Sequence, residues 1–146
     1  MLRELITFKV EGQVFALDIM AIREIRAWTP ATRLPRVPAY VAGVVNLRGT
    51  VLPVIDLAAR LGWQPVVATP RHAIIVTQLG ERQTGLIVES VSDIVTIDLD
   101  TLQAPPPTAE NSVVPFLSGL AALDDQMIMV LDLDVLADAE TVAEAA

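Results

Sequence analysis

The sequence predicts a mostly β fold built from two copies of one small barrel unit. Short segments alternate apolar and polar residues, turn residues punctuate them at regular spacing, and two blocks of sequence recur in the same order. Ile6, Phe8 and Val10 alternate with Thr7, Lys9 and Glu11, the period of a half-buried strand. Glu11-Gly12-Gln13 turns the chain into Val14-Phe15-Ala16-Leu17 and closes a hairpin. Ile19, Ile22 and Arg23 follow at helical spacing for one turn, before Glu24-Ile25-Arg26 reads as extended. The prolines of Leu34-Pro35-Arg36-Val37-Pro38 forbid a helix and give an extended connection. A second hairpin runs from Val44 to Ile55 with Arg48-Gly49 at its apex. Asp56 is placed to cap a short apolar helix, Leu57 to Leu61, which Gly62 ends.

The second half runs the same way. Residues 72–76 and 85–88 read as strands around Gly80-Glu81-Arg82, and residues 93–97 as another. Phe116 to Leu123 and Met127 to Leu131 form a hairpin around Asp124-Asp125. Asp132 or Asp134 then opens a terminal helix, Val135 to about Ala143.

The repeat itself is visible without gaps. Ala16 to Ile25 lies over Gly85 to Ile94 at an offset of 69, so that Ile19 falls on Val88, Ile22 on Val91 and Glu24 on Asp93. Gly43 to Gly49 lies over Gly119 to Asp125 at an offset of 76, and Val54-Ile55-Asp56-Leu57 over Val130-Leu131-Asp132-Leu133. A longer linker in the second half accounts for the difference, and Ala104-Pro105-Pro106-Pro107-Thr108 supplies it. The expected division is one domain over 1–146, with a first barrel over about 1–66 and a second over about 67–137. Residues 138–146 form the helix end and tail, and an exchange of strands between the barrels is left open.

Composition excludes several classes of function. At 146 residues and 53% hydrophobic, the chain is too apolar to be disordered. No stretch nears the ~18 uninterrupted apolar residues of a membrane span. The first residues run straight into a strand pattern and lack a signal peptide's apolar core. There is no cysteine, which removes thiol catalysis, disulfides and thiolate metal sites and fits a cytoplasmic setting. Of the net charge of −8, residues 1–72 carry +4 and residues 73–146 carry −12. Such asymmetry orients partners or merely keeps the protein soluble. With one lysine, and only Trp28 and Tyr40 as aromatics near its arginines, the basic half is a poor match for nucleic acid.

Catalytic chemistry is not found. His72 is the only histidine and reads as a solvated strand-end residue. Asp98, Asp100, Asp132, Asp134 and Asp138 match no calcium-loop spacing, and no other metal or cofactor motif is present. Asp56 and Asp132 each precede a helix in their own repeat, so capping explains them better than paired acid–base work. There is no phosphate loop and no serine elbow. The chain reads as a non-enzyme.

Apolar surface is the more informative feature. Ile19, Ile22 and Ile25 in one copy, and Val88, Val91 and Ile94 in the other, occupy equivalent places. They line a groove between the barrels, suited to an amphipathic helix, or form the core between them, or some do both. Arg48, at a hairpin apex where Asn or Asp is usual, is either a solvated turn residue or a donor for a carboxylate. Glu24, an acid between Ile22 and Ile25, is its natural partner.

At this point a family resemblance enters. The run Gly43-Val44-Val45-Asn46-Leu47-Arg48-Gly49-Thr50-Val51-Leu52-Pro53-Val54-Ile55-Asp56-Leu57 closely resembles the signature hairpin of CheW-type chemotaxis coupling proteins. Ile22-Arg23-Glu24-Ile25, Gly85 to Ile94 and Leu117-Ser118-Gly119-Leu120 fit the same family in the same order, over about residues 4–137. The resemblance implies two pseudo-symmetric five-stranded SH3-like β-barrels with short connecting helices and a C-terminal helix. It implies a cytoplasmic, non-catalytic adaptor, without cofactor or membrane insertion. Its partners would be the regulatory domain of a CheA-type histidine kinase and the helical hairpin tip of chemoreceptors. By position, the receptor-binding groove would fall on Ile19, Ile22, Gly43, Val88, Val91 and Ile94, with Gly85 letting backbones approach. The kinase-binding face would hold Glu24, Ile25, Arg26 and Arg48. The Pro105 to Pro107 insert, the short tail and the scarcity of lysine depart from the family pattern and leave the receptor and pathway open. A twitching-motility or other chemosensory scaffold is the first alternative. A β-barrel regulatory domain taking a small ligand, and a nucleic-acid module, are alternatives of a different class.

Overall fold

Three hairpins close through two-residue turns in which both central residues have positive φ. These are Glu11 (52°) with Gly12 (74°), Arg48 (50°) with Gly49 (85°), and Asp124 (48°) with Asp125 (65°). Such turns match the twist of the strands they join and so fix the pairing register. The computed structural model describes residues 1–105 and 113–136. In it the three turns join β1 (Leu2–Val10) to β2 (Gln13–Asp18), β4 (Val41–Leu47) to β5 (Thr50–Asp56), and β9 (Leu117–Leu123) to β10 (Gln126–Leu131). A fourth hairpin joins β6 (Ala73–Leu79) to β7 (Arg82–Val88) through Gly80, at φ 63°. The single strands β3 (Ile22–Ala27) and β8 (Ser90–Asp98) complete the set, and one-turn helices α1 (Leu57–Arg60) and α2 (Leu133–Leu136) follow β5 and β10.

The ten strands form two five-stranded sheets, ordered β8-β1-β2-β10-β9 and β3-β6-β7-β5-β4. The orders are the same once β1 is matched to β6, β2 to β7, β3 to β8, β4 to β9 and β5 to β10. Even the lone bridges agree: Thr32 pairs with Val44, and Gln103 with Leu120. The expected mostly β, two-barrel architecture is therefore present. Contiguous barrels divided near residue 66 are not. Each sheet takes its leading hairpin from the other half of the chain, β1–β2 pairing with β8 and β10, and β6–β7 with β3 and β5. The exchange follows from antiparallel pairing of β1 with β8 over eight register positions, Leu2 to Lys9, whereas no ladder joins β1 to β3.

Three apolar cores result. Leu5, Ala16, Ile97, Ala121, Ile128 and Val130 fill one barrel, and Leu47, Leu52, Val54, Ile74, Val76 and Ile87 fill the other. The third and largest lies between them. It takes Phe8, Val10, Phe15 and Leu17 from one sheet and Ile55, Ile75, Leu86 and Val88 from the other, with Leu57 and Leu136 from the helices and Leu61 from the cap of α1. Phe8 and Phe15 stack within it, ring centroids 6.2 Å apart.

Several local expectations need correction. The helical turn after β2 is a 3₁₀ turn over Ile19–Ala21, held by the Asp18 carboxylate, which accepts from Met20 N at 2.9 Å. The strand expected over residues 93–97 spans Ser90–Asp98 because its whole length pairs with β1. The terminal helix opens at Leu133, with Asp132 accepting from Asp134 N at 3.0 Å; Asp134 lies inside it. Its continuation toward Ala143, the tail, and Pro106 and Pro107 lie outside the described residues.

Candidate functional site

The expected groove is partly built and partly filled. Ile22 and Val91, equivalent by the repeat, are both half-buried against the inter-barrel core. Ile94 is 51% exposed on the edge strand β8, and Ile19 is half-buried in the turn after β2. Ile19 shares an open cavity of about 550 Å³ with Leu2, Met20 and Thr96, whose charged rim includes Arg3 and Asp18. The Arg3 guanidinium meets Asp18 at 2.6 Å, and Asp18 in turn caps the turn that presents Ile19.

Three residues assigned to the groove are not at the surface. Val88 is 1% exposed and belongs to the core, although its repeat partner Ile19 is not buried. The asymmetry arises just after each strand. Glu89 N bonds Lys9 O at 2.9 Å and leads directly into β8, keeping Val88 inward, while the chain after Asp18 makes its 3₁₀ turn outward. Gly85 pairs with Val54 inside its sheet, and a Cβ there would stand 2.9 Å from Ile74 Cγ2, so it admits a neighbouring side chain rather than a partner's backbone. Gly43 is buried with φ +146°, and a Cβ would fall 2.1 Å from Thr32 O. It lets the connection carrying Thr32 bridge to Val44, with bonds of 2.8 and 2.9 Å.

The charged apex is assembled as expected in its contacts. The left-handed Arg48, at the turn whose Gly49 N–H is bonded by Asn46 Oδ1 at 2.8 Å, sends its guanidinium 3.1 Å from Glu24 Oε2. Arg26, two residues along β3, reaches Glu24 Oε1 at 3.2 Å. Arg26 first and Arg48 second hold the Glu24 carboxyl below its ordinary value. Ile25, 42% exposed, points to the opposite face of β3 from Glu24 and Arg26. In the second barrel the equivalents of Glu24 and Arg48 are Asp93 and Asp124, so only the first barrel can form this pair.

Residues weighed for chemistry have structural work. Asp56 Oδ1 accepts from Ala59 N at 3.2 Å, and Oδ2 from Val66 N at 2.8 Å, fixing both α1 and the connection after it. His72 Nδ1 accepts from Thr69 N at 3.1 Å in the turn before β6. The sequence reading missed Met20 and Leu2, 80% and 69% exposed, which extend the apolar surface beside Ile19. The signal was an apolar residue at a position outside the Ile19–Ile22 spacing.

Against this geometry stand the comparisons with known proteins. A family description, the CheW-like domain, matches residues 4–141. This chain belongs to the CheW family. A probable chemotaxis protein CheW of Rhizobium etli is 49% identical over 144 residues, covering 99% of this chain and 92% of that protein. A chemotaxis protein CheW of Rhizobium meliloti is 49% identical over 132 residues, covering 90% and 85%. Among solved structures, the scaffolding protein TtCheW from Thermoanaerobacter tengcongensis superposes with a TM-score of 0.82 at 31% identity, covering 93% of this chain and 88% of that one. The CheW fold of that scaffolding protein is thus the fold found here, and SH3-like barrels describe both sheets. Among the described residues, no helix is long and apolar enough to cross a membrane.

Proposed function

We propose that this chain is a non-catalytic cytoplasmic adaptor that couples the cytoplasmic tips of chemoreceptors to a CheA-type histidine kinase. The observation that carries the reading is the apolar surface beside the core that joins the two barrels. Ile22 and Val91, one from each sheet, are half-buried against that core, and the half-buried Ile19 with the exposed Met20 and Ile94 adds apolar surface of a kind that suits the face of a helical hairpin. Val88 lies in the core between the barrels, and Gly43 and Gly85 pack within one sheet, so these three residues would not touch the receptor directly. A separate face carries Glu24, Arg26 and Arg48, held in one geometry by two ion pairs, and Ile25 lies on the same edge strand; this face meets the kinase regulatory domain. The role needs no cofactor, metal, nucleic acid or membrane insertion.

The deciding experiment mixes the purified chain with a kinase regulatory domain and a receptor-tip fragment and measures complex mass. A ternary complex, with binary complexes to each partner alone and no phosphotransfer by the chain itself, is the expected result. Failure to bind either partner at micromolar concentration overturns the reading.

A further inference from the structure

Arg60 stands where the two copies of the repeat meet. It ends α1, after β5 of one sheet, and its repeat equivalent at an offset of 76 is Leu136, the last described residue of α2 in the other half. Its guanidinium lies 4.6 Å from the ring centre of Tyr40 and 4.8 Å from that of Phe116. Those two rings are themselves equivalents: Tyr40 O accepts from Asp56 N at 2.8 Å, and Phe116 O from Asp132 N at 2.8 Å. Arg60 also donates from Nε to Leu136 O at 3.1 Å and from a terminal nitrogen to Val135 O at 3.0 Å. One cation therefore touches an aromatic ring from each half and holds the Val135 and Leu136 carbonyls of α2, whose Leu136 is fully buried in the inter-barrel core. Cation–ring contacts and charged hydrogen bonds are both geometry-dependent, so rotating one barrel against the other forfeits them together.

We propose that Arg60 is a positioning residue that fixes the set of one barrel against the other, and with it the separation of Ile22 and Val91, which lie on strands of different sheets. Its consequence for receptor binding rests on the adaptor reading; its geometric part does not. The absence of cysteine makes the test clean. Arg23→Cys and Ser92→Cys, both exposed and adjacent to Ile22 and Val91, are spin-labelled, and their distance distribution is measured with Arg60, Arg60→Met or Arg60→Lys. Receptor-tip and kinase-domain affinities of the unlabelled variants are measured alongside. Arg60→Met is expected to broaden or shift the distribution and to weaken receptor-tip binding by about tenfold, equivalent to about 1.4 kcal/mol. Kinase-domain binding should stay unchanged, and Arg60→Lys should recover part of the native distribution. An unchanged distribution in Arg60→Met overturns the proposal, whatever binds. A changed distribution with unchanged receptor affinity leaves Arg60 as the positioning residue and overturns the receptor-docking reading of Ile22 and Val91 instead. Should Arg60→Met fail to fold, Phe116→Leu, which removes one ring and spares both hydrogen bonds, carries the same comparison.

Discussion

Arg48 reaches Glu24 at 3.1 Å across 24 residues of sequence, tying the tip of the β4–β5 hairpin to the edge strand β3. Arg48 is 70% exposed, so solvent screens the pair and its contribution to stability is small. Its value lies in presenting two charged groups in one fixed arrangement. Arg48→Ala and Glu24→Ala should each abolish binding of the kinase regulatory domain, seen by calorimetry, while leaving the thermal midpoint nearly unchanged. Normal binding by both variants would remove the assignment of this face.

The same cluster predicts a titration. Because Arg26, then Arg48, lower the Glu24 carboxyl from its ordinary 4.5, the ionised pair is favoured in the folded state. The associated stabilisation is present above the unfolded value and is lost as pH falls through the lower folded one. Nothing should change between pH 7 and about 5. Carbon-detected NMR titration should show the Glu24 midpoint rising in Arg26→Ala, and by less in Arg48→Ala. Identical midpoints in all three proteins would contradict the ion-pair geometry.

Surface and core members of the expected groove should separate cleanly on mutation. Ile94→Asp adds a charge at a half-exposed edge position and should leave folding intact while cutting receptor-tip affinity severely. Val88→Asp buries a charge without a partner and should cost upward of about 3 kcal/mol, read by urea denaturation. A stable Val88→Asp protein would mean that this residue faces solvent after all.

Two equivalent glycines should differ in cost. Gly43→Ala forces a Cβ to 2.1 Å from a backbone oxygen at φ +146°, and about 2–4 kcal/mol of destabilisation is expected. Gly119→Ala meets Leu102 Cβ at 2.8 Å and Gln103 O at 3.3 Å, a milder overlap than at Gly43 and without a left-handed φ, so a smaller cost of about 1–3 kcal/mol is expected. Denaturation midpoints of the two variants test the ranking.

Much of the architecture was legible because it rests on local signals. Alternation in β1, left-handed apices at Arg48-Gly49 and Asp124-Asp125, and the Asp56 cap all act over a few residues. The repeat revealed that the halves match. It could not reveal which half's hairpin joins which sheet, since β1 has the same apolar pattern whether it pairs with β3 or β8. The Glu24–Arg48 contact was legible because an acid in an apolar segment and an arginine at an apex each need a partner. The full burial of Val88 against the half-burial of Ile19 was not, because it depends on how the chain leaves each strand, through one residue at Glu89 or through the Ile19–Ala21 turn. The role of Arg60 was not legible, because its two aromatic neighbours come from segments 76 residues apart.

The hairpin exchange has a consequence for biosynthesis. On the ribosome the β1–β2 hairpin emerges well before its antiparallel neighbour β8, which ends at Asp98. At roughly 5–20 residues per second, that hairpin waits about 4–18 s for β8, and longer for β10, with both edges and its aromatic face unsheltered. A nascent chain that stalls midway is thus sticky rather than half-finished, and truncated products should be cleared by chaperones and proteases instead of surviving as a working single barrel.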